Sequence, residues 1–167
     1  MKKKMIRSVS VLFLLLYLCG CGFKPIYKLS ENNTDFRSYS AILINESNVS
    51  REIKEEIKKS FPSSLEDEID YVIDISIIEN LDPLIINTDG TVSKYRIEIV
   101  MNFKVRNKNK GSYLIEDMVR GISQYTVETS EIESEDKKNR MTRTATNSAI
   151  KMLISKIQSD TSITNDN

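Results

Sequence analysis

Two cysteines lie close together near the start of the chain, and their surroundings predict a covalent lipid on the second. The stretch Leu18-Cys19-Gly20-Cys21 follows a basic start and a short apolar run over residues 9–18. A basic start, a short apolar segment and small residues before a cut are the features of a secretory signal peptide. We therefore predict that residues 1–20 are a cleaved lipoprotein signal peptide, and that Cys21 carries an N-acyl chain and a diacylglycerol.

The apolar run is too short to be a lasting membrane helix, which needs about 20 apolar residues. There are two alternatives: the segment is a plain membrane anchor, or the protein is exported with a free thiol at Cys21.

One acyl chain holds a protein only reversibly, so the several chains of a bacterial lipoprotein are needed for stable attachment. Gly22 follows Cys21 instead of the aspartate associated with inner-membrane retention. We expect an outer-membrane location, with the domain facing the periplasm.

Composition argues against several classes of function. The chain has 24 basic and 24 acidic residues, and the leader holds four of the basic ones, so the mature part carries 20 against 24. An acidic balance is not typical of nucleic-acid binding. The chain has no histidine, and both cysteines lie at the leader boundary, which removes His-based triads, thiol nucleophiles and soft-metal sites. Carboxylate clusters such as Glu66-Asp67-Glu68 lack an apolar wall that would shift a pKa. We expect no enzyme activity, metal or cofactor beyond the lipid.

Hydrophobic periodicity predicts one α+β domain over residues 39–158, between an acylated tether at 21–38 and a flexible tail at 159–167. The predicted order is a strand at 39–45, a helix, strands at 70–80, 94–106 and 112–127, and a long helix at 131–159. We expect a four-stranded mixed, mainly antiparallel sheet with two helices on one face.

Several local features are predicted within these elements. Ser47 or Asn48 can cap the first helix. Residues 81–90 read as a connection with an apolar tip, and the alternation near Asp117 slips as it would at a β-bulge. Each helix is also predicted to carry a stripe of apolar residues that packs in the core. These residues are Val49, Ile53, Ile57 and Phe61 in the first helix, and Met141, Ala145, Ala149, Met152, Leu153 and Ile157 in the second.

The motif after the cleavage site resembles a known family. Cys21-Gly22-Phe23-Lys24-Pro25-Ile26-Tyr27 is similar to the Cys-Gly-Phe-x-Pro-x-Tyr motif of LptE lipoproteins of the alphaproteobacterial type. The order of elements resembles that family too, as does Gln124-Tyr125-Thr126 leading into an acidic helix start and a helix with Arg140, Arg143 and Ala145. The chain departs from the family in being poor in alanine and rich in Lys, Asn and Ile. Other polar residues of the family cannot be matched one by one.

The resemblance implies a non-enzymatic lipoprotein of the lipopolysaccharide (LPS) translocon. Such a protein is plug and assembly factor of an LptD-type β-barrel and binds LPS. Its partners would be that barrel, LPS and, through the lipid anchor, the membrane. The residues that we assign to these roles fall into two sets. Candidates for binding lipid A phosphates are Lys94, Arg96, Lys104 and Arg106, and candidates for contact with the barrel are Phe23, Pro25, Tyr27, Leu84, Ile85 and Ile86.

Each assignment has a plainer alternative. The four cations share one face of a strand with Glu98, and an antiparallel sheet commonly has such a solvated polar face. The apolar tip can fold onto the core, and residues 23–27 can be a stiff spacer. A lipoprotein adaptor of another envelope complex, without LPS contact, is the alternative function. A small exported hydrolase is disfavoured by the missing histidine.

The lipid anchor gives a first prediction. Replacing Cys21 with Ser removes the acylation site, so the domain should stay folded and move from the membrane to the soluble fraction. Cys19→Ser is the matched control, since Cys19 leaves with the signal peptide. Fractionation and immunoblotting measure the change, and membrane retention of Cys21→Ser at the wild-type level would refute the lipoprotein assignment.

Overall fold

The computed structural model of the chain describes residues 38–61 and 69–160. The signal peptide, the lipidation site Cys21 and the contact candidates Phe23, Pro25 and Tyr27 lie outside the described residues. So do nearly all of the tether and residues 161–167 of the tail. The predicted boundaries of these segments therefore stay predictions.

Four strands form one sheet. They are β1 (Tyr39–Leu43), β2 (Tyr71–Ile86), β3 (Val92–Asn107) and β4 (Tyr113–Thr126), and they lie in the order β1-β2-β3-β4. β1 pairs in parallel with β2, whereas β2–β3 and β3–β4 are antiparallel. Two α-helices lie in the described ranges, α1 (Arg51–Ser60) and α2 (Glu131–Ser159), and a 3-10 turn at Glu46–Asn48 precedes α1. The predicted α+β class and the mixed, mainly antiparallel sheet are confirmed.

Both helices pack on the same face of the sheet, and a single core lies between the two layers. Odd-numbered side chains of β3, of β2 as far as Pro83 and of β4 from Ile115 onward point to this face, as the period of two along a strand requires. The strand residues of the core are Tyr39, Tyr71, Ile73, Ile75, Ile77, Ile97, Ile99, Met101, Phe103, Val105, Ile115, Val119 and Tyr125. Burial of so many apolar side chains is the main favourable term in folding.

The first helix follows its predicted stripe but begins later than predicted. Ile53 and Ile57 are buried on α1, and Val49 and Phe61 are buried just beyond its ends. The N-cap residue is Ser50, so the prediction of Ser47 or Asn48 was wrong. The 3-10 turn occupies both of these positions and moves the start of the helix along the chain.

Glu56 joins the two helices. One of its carboxylate oxygens accepts a hydrogen bond of 2.9 Å from Lys59, and the other accepts one of 2.9 Å from Asn147 of α2. These hydrogen bonds lower the pKa of Glu56, so the buried carboxylate stays ionised and paired. Arg143 of α2 also pairs with Glu55 at 3.1 Å. The polar contacts fix α1 against α2 beside the shared apolar core.

The long helix has the predicted bounds, and Ala145, Ala149, Leu153 and Ile157 of its predicted stripe are buried. Its N-cap is Ser130, whose side chain accepts a hydrogen bond from the backbone N–H of Glu133. The residues buried on α2 are Thr142, Ala145, Thr146, Ala149, Ile150, Leu153 and Ile157. The placement of Met152 in the core was wrong, because this side chain is 50% exposed. Thr146 can be buried because its hydroxyl donates to the carbonyl of Thr142 within the helix.

The second strand is longer than predicted. Residues 81–86 continue β2 and stay paired with β3, so the predicted connection was wrong over this range. Pro83 is tolerated because its backbone nitrogen lies on the side of β2 that faces away from β3. Ile75 and Ile77, of the same parity, direct their backbone groups to that side, toward Ile44 and Asn45. Proline has no backbone N–H, and none is required on the side of a strand that faces away from its neighbour. The turn begins only at Asn87 and ends at Thr91.

The expected bulge in β4 lies elsewhere. The register slips between Ile115 and Tyr113, so Leu114 is the extra residue. At Asp117 the strand keeps its alternation, and the prediction of a bulge there was wrong. Asp117 faces the helices and pairs with Lys156 of α2. Asp117 therefore stands among the apolar residues of this face because it pairs with a lysine of the helix layer. The strand itself is not interrupted there.

Gly121 is the point where helix and sheet come closest. A Cβ atom built on Gly121 would lie 1.8 Å from the carbonyl oxygen of Ala145 and 2.8 Å from the backbone nitrogen of Ala149. Both are backbone atoms and cannot move aside as a side chain could. The small residues on both elements therefore allow α2 to lie directly on β4.

Replacing Gly121 with Ala should destabilise the fold by about 3 kcal/mol, because the new methyl group overlaps the helix backbone and forces the layers apart. Urea unfolding measures the loss as a lower midpoint. Gln124→Ala on the opposite face of the same strand is the control and should cost less than about 1 kcal/mol. A midpoint of Gly121→Ala equal to that of wild type would contradict the close contact.

Candidate functional site

The helices leave the second face of the sheet uncovered by any described element, and we call it the open face. It is formed by the even-numbered residues of β2, β3 and β4, which the register aligns across the three strands. Asp74, Lys104 and Glu116, for example, lie side by side on neighbouring strands. Side chains that stand in one row across a sheet are close enough to interact directly.

The four cations predicted to bind phosphate all lie on the open face, but three are already paired. Arg96 Nη2 lies 2.8 Å from Asp82 Oδ2, and Lys104 Nζ lies 2.8 Å from Glu116 Oε1. The Lys104 ammonium also lies over the ring of Tyr113, 5.3 Å from its centroid. Arg106 Nε lies 3.2 Å from Asp74 Oδ2.

Lys94 is the exception among the four, since it forms no ion pair with any residue in the described ranges 38–61 and 69–160.

These pairs make the open face a ladder of mixed charge, whereas the sequence pattern predicted a basic surface. Glu98 extends the ladder, with Arg120 at 3.7 Å and Asn80 at 3.2 Å. The hydrogen bond from Lys104 to Glu116 raises the pKa of Lys104, so this cation stays protonated at neutral pH. An anionic ligand on this face has to compete with the carboxylates, and such exposed pairs are individually weak.

An apolar patch lies in the middle of the ladder and was missed by the sequence reasoning. Val100 is buried although it is on the open face, and Ile78 stands beside it on β2. Met118 and Ile122 on β4 are exposed and flank the same point. The signal was present in the sequence as apolar residues at even positions among polar ones. Only the register of the three strands brings these residues together.

The apolar tip of Leu84, Ile85 and Ile86 is exposed and does not fold onto the core. These side chains are 41%, 49% and 62% accessible at the end of β2. The turn behind them is held rigidly, because the backbone of Asn87 donates to Thr91 at 2.8 Å and Gly90 adopts a positive φ of 86°. A rigid hairpin end that presents three large apolar side chains is suited to contact with another molecule.

Three features bear on what else the described residues can do. Within the ranges 38–61 and 69–160, no three His, Cys, Asp or Glu residues are grouped so as to hold a metal ion. None of the helices in those ranges is both long enough and apolar enough to cross a membrane.

A depression of about 300 Å³ near the start of α2 is lined by Glu128, Glu133, Asp136, Lys137 and Arg140. All of its lining residues are charged, unlike the apolar walls usual in small-molecule sites.

Comparison with known proteins gives one family match, over residues 32–160, to the family described as "LptE: Lipopolysaccharide-assembly". No curated protein sequence matches this chain.

Solved structures of three bacterial lipoproteins are similar to this chain to different degrees. The crystal structure of a candidate lipoprotein from Caulobacter crescentus CB15 has 10% identity and a TM-score of 0.54, with 72% of this chain and 88% of that chain covered. Rare lipoprotein B from Shewanella oneidensis has 13% identity, a TM-score of 0.45 and coverage of 71% and 94%. A minor lipoprotein from Acinetobacter baumannii has 12% identity, a TM-score of 0.48 and coverage of 78% and 93%. Only the Caulobacter structure, with its TM-score above 0.5, bears on the fold, and at identities of 10–13% none of the three bears on function.

Proposed function

This chain belongs to the LptE lipopolysaccharide-assembly family, and we propose that it is an outer-membrane lipoprotein of the LPS translocon. In this proposal it acts without catalysis, as plug and assembly factor of an LptD-type β-barrel, and it binds LPS. The observation that carries the proposal is the family match over residues 32–160, which includes every described strand and helix.

The proposed anchor is the lipid on Cys21, after cleavage of residues 1–20. Residues 21–38 would then link the lipid to the first strand, which begins at Tyr39. A linker of this length lets the domain move away from the bilayer surface while it stays attached. Phe23, Pro25 and Tyr27 lie in this linker and are the proposed contacts to the barrel nearest the membrane.

The open face is suited to the inside of a large barrel, whose lumen is polar. Its ion pairs join partly exposed side chains, such as Arg96 with Asp82, so either partner can turn to a group on another chain at small cost. The apolar tip supplies a complementary contact at one end of the domain, where Leu84, Ile85 and Ile86 would pack against the barrel wall.

LPS binding is proposed for the cations of the open face. Lys94 and Arg96 are neighbours on β3 and stand at the end of the sheet nearest the apolar tip. A guanidinium group can hold a phosphate by two parallel hydrogen bonds, and an ammonium group acts as a point charge beside it. Phosphate on this face competes with Asp82 and Glu116, so binding should be moderate and sensitive to salt.

Affinity capture of the detergent-solubilised, membrane-anchored protein tests the partner. We expect a large outer-membrane barrel at one-to-one stoichiometry, identified by mass spectrometry. Replacing Leu84, Ile85 and Ile86 together with Asn should weaken its capture by roughly tenfold or more, because loss of central apolar contacts commonly costs about 2 kcal/mol or more.

The control for this capture replaces three exposed apolar residues elsewhere, Ile44, Ile132 and Met152, with Asn. Equal capture by the tip variant and the control would overturn the tip contact. Recovery of a different envelope complex in place of a barrel would favour an adaptor role and overturn the proposed function.

Replacing Lys94, Arg96 and Lys104 with Gln should weaken LPS binding by about tenfold at low salt, and the difference should shrink as salt rises. The control variant replaces Lys54, Lys58 and Lys151 with Gln, which removes the same charge from the helices. Titration of purified LPS at several salt concentrations provides the measurement. If both variants bind LPS as wild type does, the open face is not the LPS site.

A further inference from the structure

Strand edges are natural sites for pairing with another chain, because their outward N–H and C=O groups lack partners. In this sheet one such edge is the part of β2 beyond β1, since β1 pairs only as far as Ile75. The side-chain amide of Asn45 covers the next position. Its nitrogen donates to the carbonyl of Ile77 at 2.7 Å, and its oxygen accepts from the N–H of Ile77 at 3.0 Å. Asn45 thus takes the place of a strand residue, and Pro83 further along has no N–H to offer.

The edge of β4 is covered in a similar way at one position only. The backbone N–H of Met118 donates to Asp117 at 2.6 Å, and the carbonyl of Met118 accepts from Lys156 Nζ at 3.1 Å. Asp117 and Lys156 also form an ion pair with each other. The hydrogen bonds that Asp117 accepts from Lys156 and from the backbone N–H of Met118 lower the pKa of Asp117, which favours the charged form of the pair.

The hydrogen bonds of Met118 also show which backbone groups of β4 point outward. Odd-numbered residues of β4 direct their N–H and C=O groups to β3, as Val127 does with its bond to Ser93. Even-numbered residues therefore direct theirs away from the sheet. Between Met118 and the last residue of β4, Thr126, these are Arg120, Ile122 and Gln124, and their outward backbone groups have no hydrogen-bond partner within residues 38–61 and 69–160.

We propose that the edge of β4 from Arg120 to Gln124 binds an extended segment of another protein as an added β-strand. The segment pairs its backbone with these three residues, places an apolar side chain beside Ile122, and carries acidic side chains at its flanks. This is β-strand addition, in which backbone hydrogen bonds give affinity and alternate side chains give specificity. The inference does not depend on the proposed barrel, because a closed barrel has no free strand to add.

Charge at the edge favours an acidic segment. Arg120 is 56% exposed and only loosely paired with Glu98, at 3.7 Å. Lys156 stands at one end of the open stretch, bound to Met118. Lys137 stands at the other end, where it donates to the hydroxyl of Thr126 at 3.2 Å and pairs with Glu128. Three cations therefore follow the line that an added strand would take. Lys156 and Lys137 each pair closely with a carboxylate, so Arg120 is the cation most available to an acidic side chain of the segment.

The same charges disfavour a second copy of this chain as the occupant. A two-fold antiparallel pairing centred on Ile122 places Met118 of one copy opposite Thr126 of the other. Lys156 would then approach Lys137 of the other copy at both ends of the interface, each beside its own carboxylate partner, Asp117 or Glu128. Like charges across paired strands are destabilising.

The test uses the full chain in detergent micelles and a synthetic nine-residue peptide of alternating valine and glutamate, capped at both ends. Hydrogen–deuterium exchange is measured for the segment that contains β4. Exchange of the outward amides of β4 should slow about tenfold when the peptide is present at about ten times its Kd. The matched control peptide carries N-methyl groups on every second residue, which removes the N–H groups on one side of the strand. It should bind much more weakly.

Two variants of Ile122 check the position. Ile122→Pro removes the outward N–H without removing a hydrogen bond to β3, and edge strands tolerate proline. It should weaken peptide binding about fivefold or more, whereas Ile122→Thr keeps the N–H and should bind like wild type.

Three results would overturn the proposal. They are equal binding of the N-methylated peptide, absence of protection in β4, and protection in β4 that appears without peptide as the protein concentration rises. The last result would identify a second copy as the occupant. The comparison of the two peptides uses the wild-type chain and therefore holds even if Ile122→Pro fails to fold.

Discussion

The contact between the backbone of α2 and Gly121 of β4 sets the geometry of the two layers. Because no side chain separates them there, Ala145 and Ala149 lie directly on the strand, and the larger residues of α2 fill the space on either side. The helix therefore runs along β4 and keeps the core thin at this point. α1 depends on the same arrangement, because Glu55 and Glu56 are held by Arg143 and Asn147 of α2.

With both helices on one side, most charged side chains of the other face pair with each other across the strands. Cross-strand pairs such as Arg106 with Asp74, and Lys104 with Glu116, balance the charge of neighbouring strands. The resulting face is neither a basic patch nor an inert surface. Its charged groups are ordered but weakly held, and the apolar side chains near Val100 lie between them. Such a face can exchange partners with a polar surface, which is what the proposed role requires.

At the edges of the sheet, too, side chains bind some of the backbone groups that have no neighbouring strand. Asn45 closes the edge of β2 at Ile77, and Asp117 with Lys156 closes the edge of β4 at Met118. Both devices use polar side chains in place of a missing strand, and this is one way in which natural sheets avoid uncontrolled pairing. The stretch of β4 beyond Met118 has no such device among the described residues, so it is the part of the edge best prepared for a partner.

Periodicity in the sequence determined the element order, the sheet type, the bounds of α2 and the buried faces of β2 and β3, because a period of two or 3.6 fixes which side chains share a face. The motif around Cys21 indicated the family from its residues alone. Only the tertiary structure decided that residues 81–86 belong to β2, that Asp117 keeps the strand in phase, and that the cations of β3 are paired. Those outcomes depend on which residues meet across strands and layers. A single sequence does not encode such contacts as a local pattern, since each is set by the register and packing of distant segments.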